Sequence, residues 1–219
     1  MRTVLAALAT ISATVLLVGC SGSEEEPMPT HRIIQGAAPG QMGEVLTEMP
    51  TVEQEPVTAD EVAFVRHMIV HHGQALEMTE LVPTNGSRDD VALFAERINL
   101  SQEDEIRLMQ EWLQDHRLTV LRIDDEQGGH AGHGAVMDMP GMITPEQLDE
   151  LAAAQGPEFD RMFLELMFDH HEGAVLMVED LQQGQQSNEP VLWNLVKDID
   201  GDQRIEMDRI VAMLADMNA

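Results

Sequence analysis

Two stretches of this chain set out the same side chains in the same order. Phe64, Met68, His71, His72, Ala75 and Met78 recur ninety-nine residues later as Phe163, Met167, His170, His171, Ala174 and Met177. Of nine histidines in the whole chain, five lie in these two stretches, because the first also carries His67. Imidazole nitrogen and thioether sulfur are both metal ligands. Imidazole suits zinc, copper, iron and nickel, whereas thioether narrows the choice toward copper, Cu(I) above Cu(II).

That chemistry needs the side chains on one face. At about 100° per residue, Phe64, Met68, His71, His72, Ala75 and Met78 fall within about 120° of arc on a helix, and the second stretch gives the same map. Neighbouring histidines diverge by about 100°, so one of each pair is expected to look into the protein and the other toward a neighbouring helix or loop. A methionine stripe at helical spacing also serves as ordinary core, and a half-buried histidine is commonly a hydrogen-bonded core residue. Two His-His pairs on equivalent faces fit packing less well, since four imidazoles near one interior carry a desolvation cost that a metal would offset.

The helices that carry the stretches are legible from their caps. Thr58 and Glu61 form a capping-box pattern that opens a helix running to Pro83, and Ser87 with Asp90 opens a second to about His116. Thr144, Pro145 and Gln147 cap a short helix to about Ala154. Pro157 begins a third long helix ending near Gly184, and Pro190 a fourth to about Met217. Ile98, Gln102, Glu105 and Leu113 are matched by Ile199, Gln203, Glu206 and Leu214, so each half is a repeat of one hairpin. The expected fold is all-α: a four-helix bundle from two duplicated α-hairpins at 58–120 and 157–217, joined by a loop and short helix at 121–156. The loop, "HAGHGAVMDMPGM", adds His130, His133, Met137, Met139 and Met142, a short His/Met tract that is a weaker metal candidate, as is His67.

Residues 1–20, "MRTVLAALATISATVLLVGC", read as a signal peptide that ends in a lipobox-like "LVGC". Cys20, the only cysteine, is then the lipid attachment point, and the exported chain keeps no thiol for metal or disulfide. Residues 21–57, rich in Pro, Gly, Glu and Ser, read as a flexible acidic tether between membrane and bundle. The formal charge of −28, from 40 acidic and 12 basic side chains, excludes a nucleic-acid partner, whose phosphates need a basic surface. It favours attraction of cations.

"FVRHMIVHHGQALEM" and "MPGMITPEQLDELAAAQGPEFDRMFLELMFDHHEGAVLM" resemble the exported bacterial family of domain of unknown function 305. The resemblance implies a ferritin-like four-helix bundle, often secreted or lipid-anchored, with some members associated with copper. It implies no established enzymatic activity. The motif positions it carries over are Met68, His71, His72, Met78, Met167, His170, His171 and Met177, together with the Met139–Met142 stretch. His67 has Leu166 at the equivalent place, which leaves it outside the repeated set.

Three functions follow as expectations. The first is a copper-binding protein at the cell envelope, anchored by lipid and buffering, sequestering or delivering the ion, with a metal donor or acceptor protein as a possible partner. The second is a ferritin-like iron and oxygen oxidoreductase. It lacks the Glu-x-x-His of di-iron bundles, since Met68 and Met167 stand three residues before His71 and His170. The third is a non-catalytic interaction module with structural or pH-sensitive histidines, for which Trp112 and Trp193 could be anchors, although their helical spacing fits core packing better. Nothing in the chain marks a nucleophilic catalytic site, so the reading leans away from an enzyme.

Overall fold

The computed structural model describes residues 33–35, 44–46, 56–121, 139–184 and 189–218. Cys20, His130, His133 and Met137 lie outside them. The chain divides into two units, Met1–Val52 and Glu53–Ala219. In the first, β1 (Ile33–Gln35) pairs antiparallel with β2 (Glu44–Leu46), Ile34 opposite Val45. The sequence reads as a tether with little fixed structure here. Each strand is only three residues long, too short to show as an alternating pattern in the sequence.

The second unit is helical: α1 (Ala59–Asn85), α2 (Asp89–Asp115), α3 (Pro145–Ala153), α4 (Gly156–Gly184) and α5 (Pro190–Met217). Helix α1 packs on α2, α2 on α5, α5 on α4 and α4 on α1, which makes a closed ring of four. The short α3 rests against α1 and α4. Among the described residues no helix is long and apolar enough to cross a membrane.

The capping boxes at Thr58/Glu61 and Thr144/Gln147 form as the sequence predicts. Two boundaries differ. Helix α1 continues through Pro83 to Asn85, because Asn85 is buried and its side-chain amide donates to the carbonyls of Ala152 and Ala154 at the end of α3. Tertiary anchoring outweighs the lost backbone donor of proline. At α2 the Ser87/Asp90 box does not form: Ser87 gives both its N–H and its hydroxyl to Asp160 of α4, and Asp90 pairs with Arg88. Ser87 therefore ties one hairpin to the other instead of capping its own helix.

The interior is two apolar clusters. One holds Phe64, Met68, Ile69, Ile106, Met109, Trp112, Ala174, Met177, Leu192 and Ile199. The other holds Ala75, Met78, Phe94, Ile98, Phe159, Phe163, Met167 and Ile210. Helix α1 leaves the first cluster after Ile69 and joins the second at Ala75, and α4 leaves the second after Met167 and joins the first at Ala174. The two helices therefore run antiparallel, with Phe64 at the level of Met177 and Met78 at the level of Phe163. What lies at the crossover on every helix is polar: His71 and His72 on α1, Gln102 and Glu105 on α2, His170 and His171 on α4, and Gln203 and Glu206 on α5.

Candidate metal centre

All four imidazoles of the crossover layer are completely buried. His71 and His170 face each other across the α1/α4 contact with ring centroids 3.8 Å apart, while His72 and His171 lie 6.5 and 6.3 Å from their chain neighbours. This settles the division of labour within each pair. The first histidine turns inward to its counterpart, and the second turns to the adjacent helix of its own hairpin. His72 Nε2 is 2.6 Å from Glu105 Oε2, and His171 Nε2 is 2.7 Å from Glu206 Oε2.

Burial pushes the His71 pKa down from about 6.5 to about 3, with the nearby His72 adding to the effect. His170 is lowered well below its ordinary value, again by burial first and then by His71. Both inward rings are therefore neutral at physiological pH, the form that ligates metals. The His71 Nε2–H donates to the Pro140 carbonyl at 3.0 Å. A carbonyl and a carboxylate accept only, so His71, His72 and His171 each place a proton on Nε2, which leaves their Nδ1 atoms turned away from those partners.

Those Nδ1 atoms are buried without a hydrogen-bond partner among the described residues, as are both ring nitrogens of His170. Unpaired buried polar atoms cost about 1–3 kcal/mol each. One nitrogen tied to a carboxylate or carbonyl while the other stays bare is the outer-shell arrangement of a metal-ligating histidine. The residues thus fit a metal. Among the described residues, however, no three His, Cys, Asp or Glu side chains are grouped to hold an ion by themselves. A metal held here would need donors other than carboxylate and thiolate beside the imidazoles.

The methionines flank the layer. Met68, Met139 and Met177 belong to the first apolar cluster, with Met142 packed half-buried against it, and Met78 and Met167 belong to the second. The four histidines therefore share one level of the bundle, with Met68 and Met177 in the apolar cluster on one side of it and Met78 and Met167 in the cluster on the other. His67 is exposed on the outer side of α1.

Sequence reasoning missed Gln102, Glu105, Gln203 and Glu206 as members of the site. Glu105 and Gln102 are buried, and the amide atoms of Gln102 and Gln203 have no partner among the described residues. Their repetition 101 residues apart was visible, and two polar positions kept at equivalent places in a helix that must bury them is the signal that could have found them. Met68 and Met167 leave α1 and α4 without hard oxygen donors at the positions before His71 and His170, but α2 and α5 supply Glu105 and Glu206 beside the outward histidines.

The segment Met139–Ile143 closes one side of the centre. Gly141 adopts φ +78° and lies against Gly173 of α4, where an added Cβ on Gly173 would come within 2.2 Å of the Pro140 carbonyl oxygen. On the α1 side, Gln74 holds the segment with both amide atoms, donating to the Ile143 carbonyl and accepting from its N–H at 2.9 Å each.

The sequence matches the family Domain of unknown function (DUF305) over residues 61–214. The chain belongs to the DUF305 family. A solved DUF305 fragment from Deinococcus radiodurans is 27% identical with a TM-score of 0.61, covering 74% of this chain and 99% of its own. CopM in a Cu(II)-bound form is 28% identical (TM-score 0.57; 71% of this chain, 96% of CopM), and CopM in a Cu(I)-bound form 25% identical (TM-score 0.57; 73% and 98%). Comparison with curated proteins finds no match. The DUF305 bundle is thus the shared frame, and the His/Glu/Gln layer is what this chain places at its centre.

Proposed function

We propose that this DUF305 protein binds copper at the cell envelope, through the buried histidines and their flanking methionines, and buffers, sequesters or delivers the ion. The observation that carries the reading is the set of four fully buried imidazoles, each with a bare nitrogen. Three of them have the other nitrogen tied to a carboxylate or carbonyl. When bound, the ion would supply the interaction those nitrogens lack. Cu(I) is favoured because the donors beyond imidazole are thioethers. Support from outside the chain is that CopM, of similar fold and sequence, has been crystallised with Cu(I), Cu(II) and silver.

Export with lipid attachment at Cys20 completes the proposal, since the leader and "LVGC" point there and a thiol-free mature chain suits an oxidising compartment. The loop residues His130, His133, Met137 and Met142 are proposed as auxiliary ligands that collect the ion.

Glu105 and Glu206 favour a second reading, a ferritin-like iron and oxygen site, because they are one carboxylate from each of two helices. Against it, each carboxylate is engaged by a histidine, and the remaining positions of a di-iron set are Met68 and Met167. Stoichiometric Fe(II) uptake with oxygen consumption would establish that reading instead.

The test is Cu(I) competition titration of the purified protein and of a variant with His71, His72, His170 and His171 all changed to Ala, each checked for helicity by circular dichroism. The proposal expects a loss of affinity of at least a hundredfold. Equal affinity in a folded variant would sink it.

A further inference from the structure

A second group of soft donors lies outside the buried layer. A groove of about 460 Å³ opens on the surface between the first turns of α1, the last turns of α4 and the segment before α3, and His67, Met139 and Met177 line it. His67 is exposed at the rim, whereas the two methionines are 8% exposed each and form part of the floor. Asp60 and Asp180, both exposed, stand at the same groove. Pro140 is its inner wall, and the carbonyl of that residue is the one bonded to His71.

Met139 and Met177 pack into the first apolar cluster, but that packing does not require sulfur. A fully apolar floor would serve the core as well, and His67 contributes nothing to burial. The donor types select a soft monovalent cation over a hard divalent one, and the two aspartates make the approach electronegative for any cation. The space is much larger than an ion, so a cation can arrive with ligands still attached. Pro140, which lines the groove and whose carbonyl bonds His71, connects the groove to the buried histidines.

We infer that this groove is a second, solvent-accessible site for a soft cation such as Cu(I), formed by His67, Met139 and Met177 and distinct from the buried histidine centre. The inference extends the copper reading, resting on it for the identity of the ion but not for the existence of the site. The exposed site exchanges ions with the surroundings, and the buried one retains them.

Silver(I), a redox-inert soft cation, is the probe. Titration of the purified protein carrying methyl-labelled methionines, followed by NMR, is expected to shift the Met139 and Met177 methyl signals. In a His67→Ala/Met177→Leu variant, whose thioether is replaced at nearly equal volume, this site should bind at least tenfold more weakly and one equivalent of silver should be lost. The same equivalent should persist when His71, His72, His170 and His171 are replaced. Met139 and Met177 signals that stay fixed on saturation of the wild type, or a stoichiometry unchanged in the His67→Ala/Met177→Leu variant, would overturn the inference. Failure of the buried centre alone would leave the groove equivalent intact, so the two claims are separable even if the four-histidine variant does not fold.

Discussion

The two hairpins of this bundle are copies of one another, and the place where they differ is informative. Each places an inward histidine at the crossing point and an outward histidine on a glutamate, at nearly equal distances. One residue later the copies part. The first half reads Gly73-Gln74 and the second Glu172-Gly173. Gln74 reaches up to grip the backbone of Ile143, whereas Gly173 leaves a bare backbone on which Pro140 and Gly141 lie. As a consequence His71 bonds the Pro140 carbonyl, whereas among the described residues His170 makes no hydrogen bond to that segment. A centre built from two equal halves is thus made unequal by a single segment that seals one side.

Gly173→Ala should break that asymmetry most severely. The added methyl would meet backbone atoms of Pro140 and Gly141, so a loss of about 3 kcal/mol or more in urea unfolding is expected. The gain of about 1 kcal/mol that Gly→Ala gives in an open helix would show that the segment does not rest there.

Acid should come next. His71 titrates at about 3 in the folded protein against about 6.5 when unfolded, and His170 is shifted the same way. The unfolded chain therefore binds more protons between those values. Stability is complete above about pH 6.5 and falls as the pH drops toward 3, by up to about 1.4 kcal/mol per pH unit for each ring. Urea midpoints of the metal-free protein across pH 7 to about 4 measure it, and replacing either inward histidine with Phe should flatten the slope.

Glu105→Gln and Glu206→Gln compare the outward histidines. Loss of an outer-shell carboxylate lowers metal affinity by about 10–100-fold. The larger effect is expected at Glu105, whose side chain is 7% exposed against 13% for Glu206, and Cu(I) competition reads the difference. Gln74→Ala should be mildest, about 1–2 kcal/mol in urea unfolding for two hydrogen bonds lost, with no equivalent cost from changing Gly173's neighbour Glu172, which is exposed.

Much of this frame was legible because its signals are local. Thr58/Glu61 and Thr144/Gln147 announce helix starts within four residues, and the His/Met faces follow from helical spacing alone. What could not be read depends on contacts between distant segments. Ser87 looked like a cap but bonds Asp160, seventy-three residues away, and Pro83 looked like a stop until Asn85 found the end of α3. At the site, the angular map put His71 and His72 on one face but could not say which turned inward. That choice depends on Glu105 standing opposite His72 on another helix. Helical wheels also joined Met177 to the histidines, whereas the fold sets it with Met139 beside the exposed His67.

Copper K-edge absorption of the Cu(I)-loaded protein, compared with a His71→Ala/His170→Ala variant, addresses the centre most directly. Imidazole nitrogen together with sulfur is expected around copper in the wild type, and a clear fall in the imidazole scattering in the variant. A spectrum unchanged by removal of those two rings would contradict it.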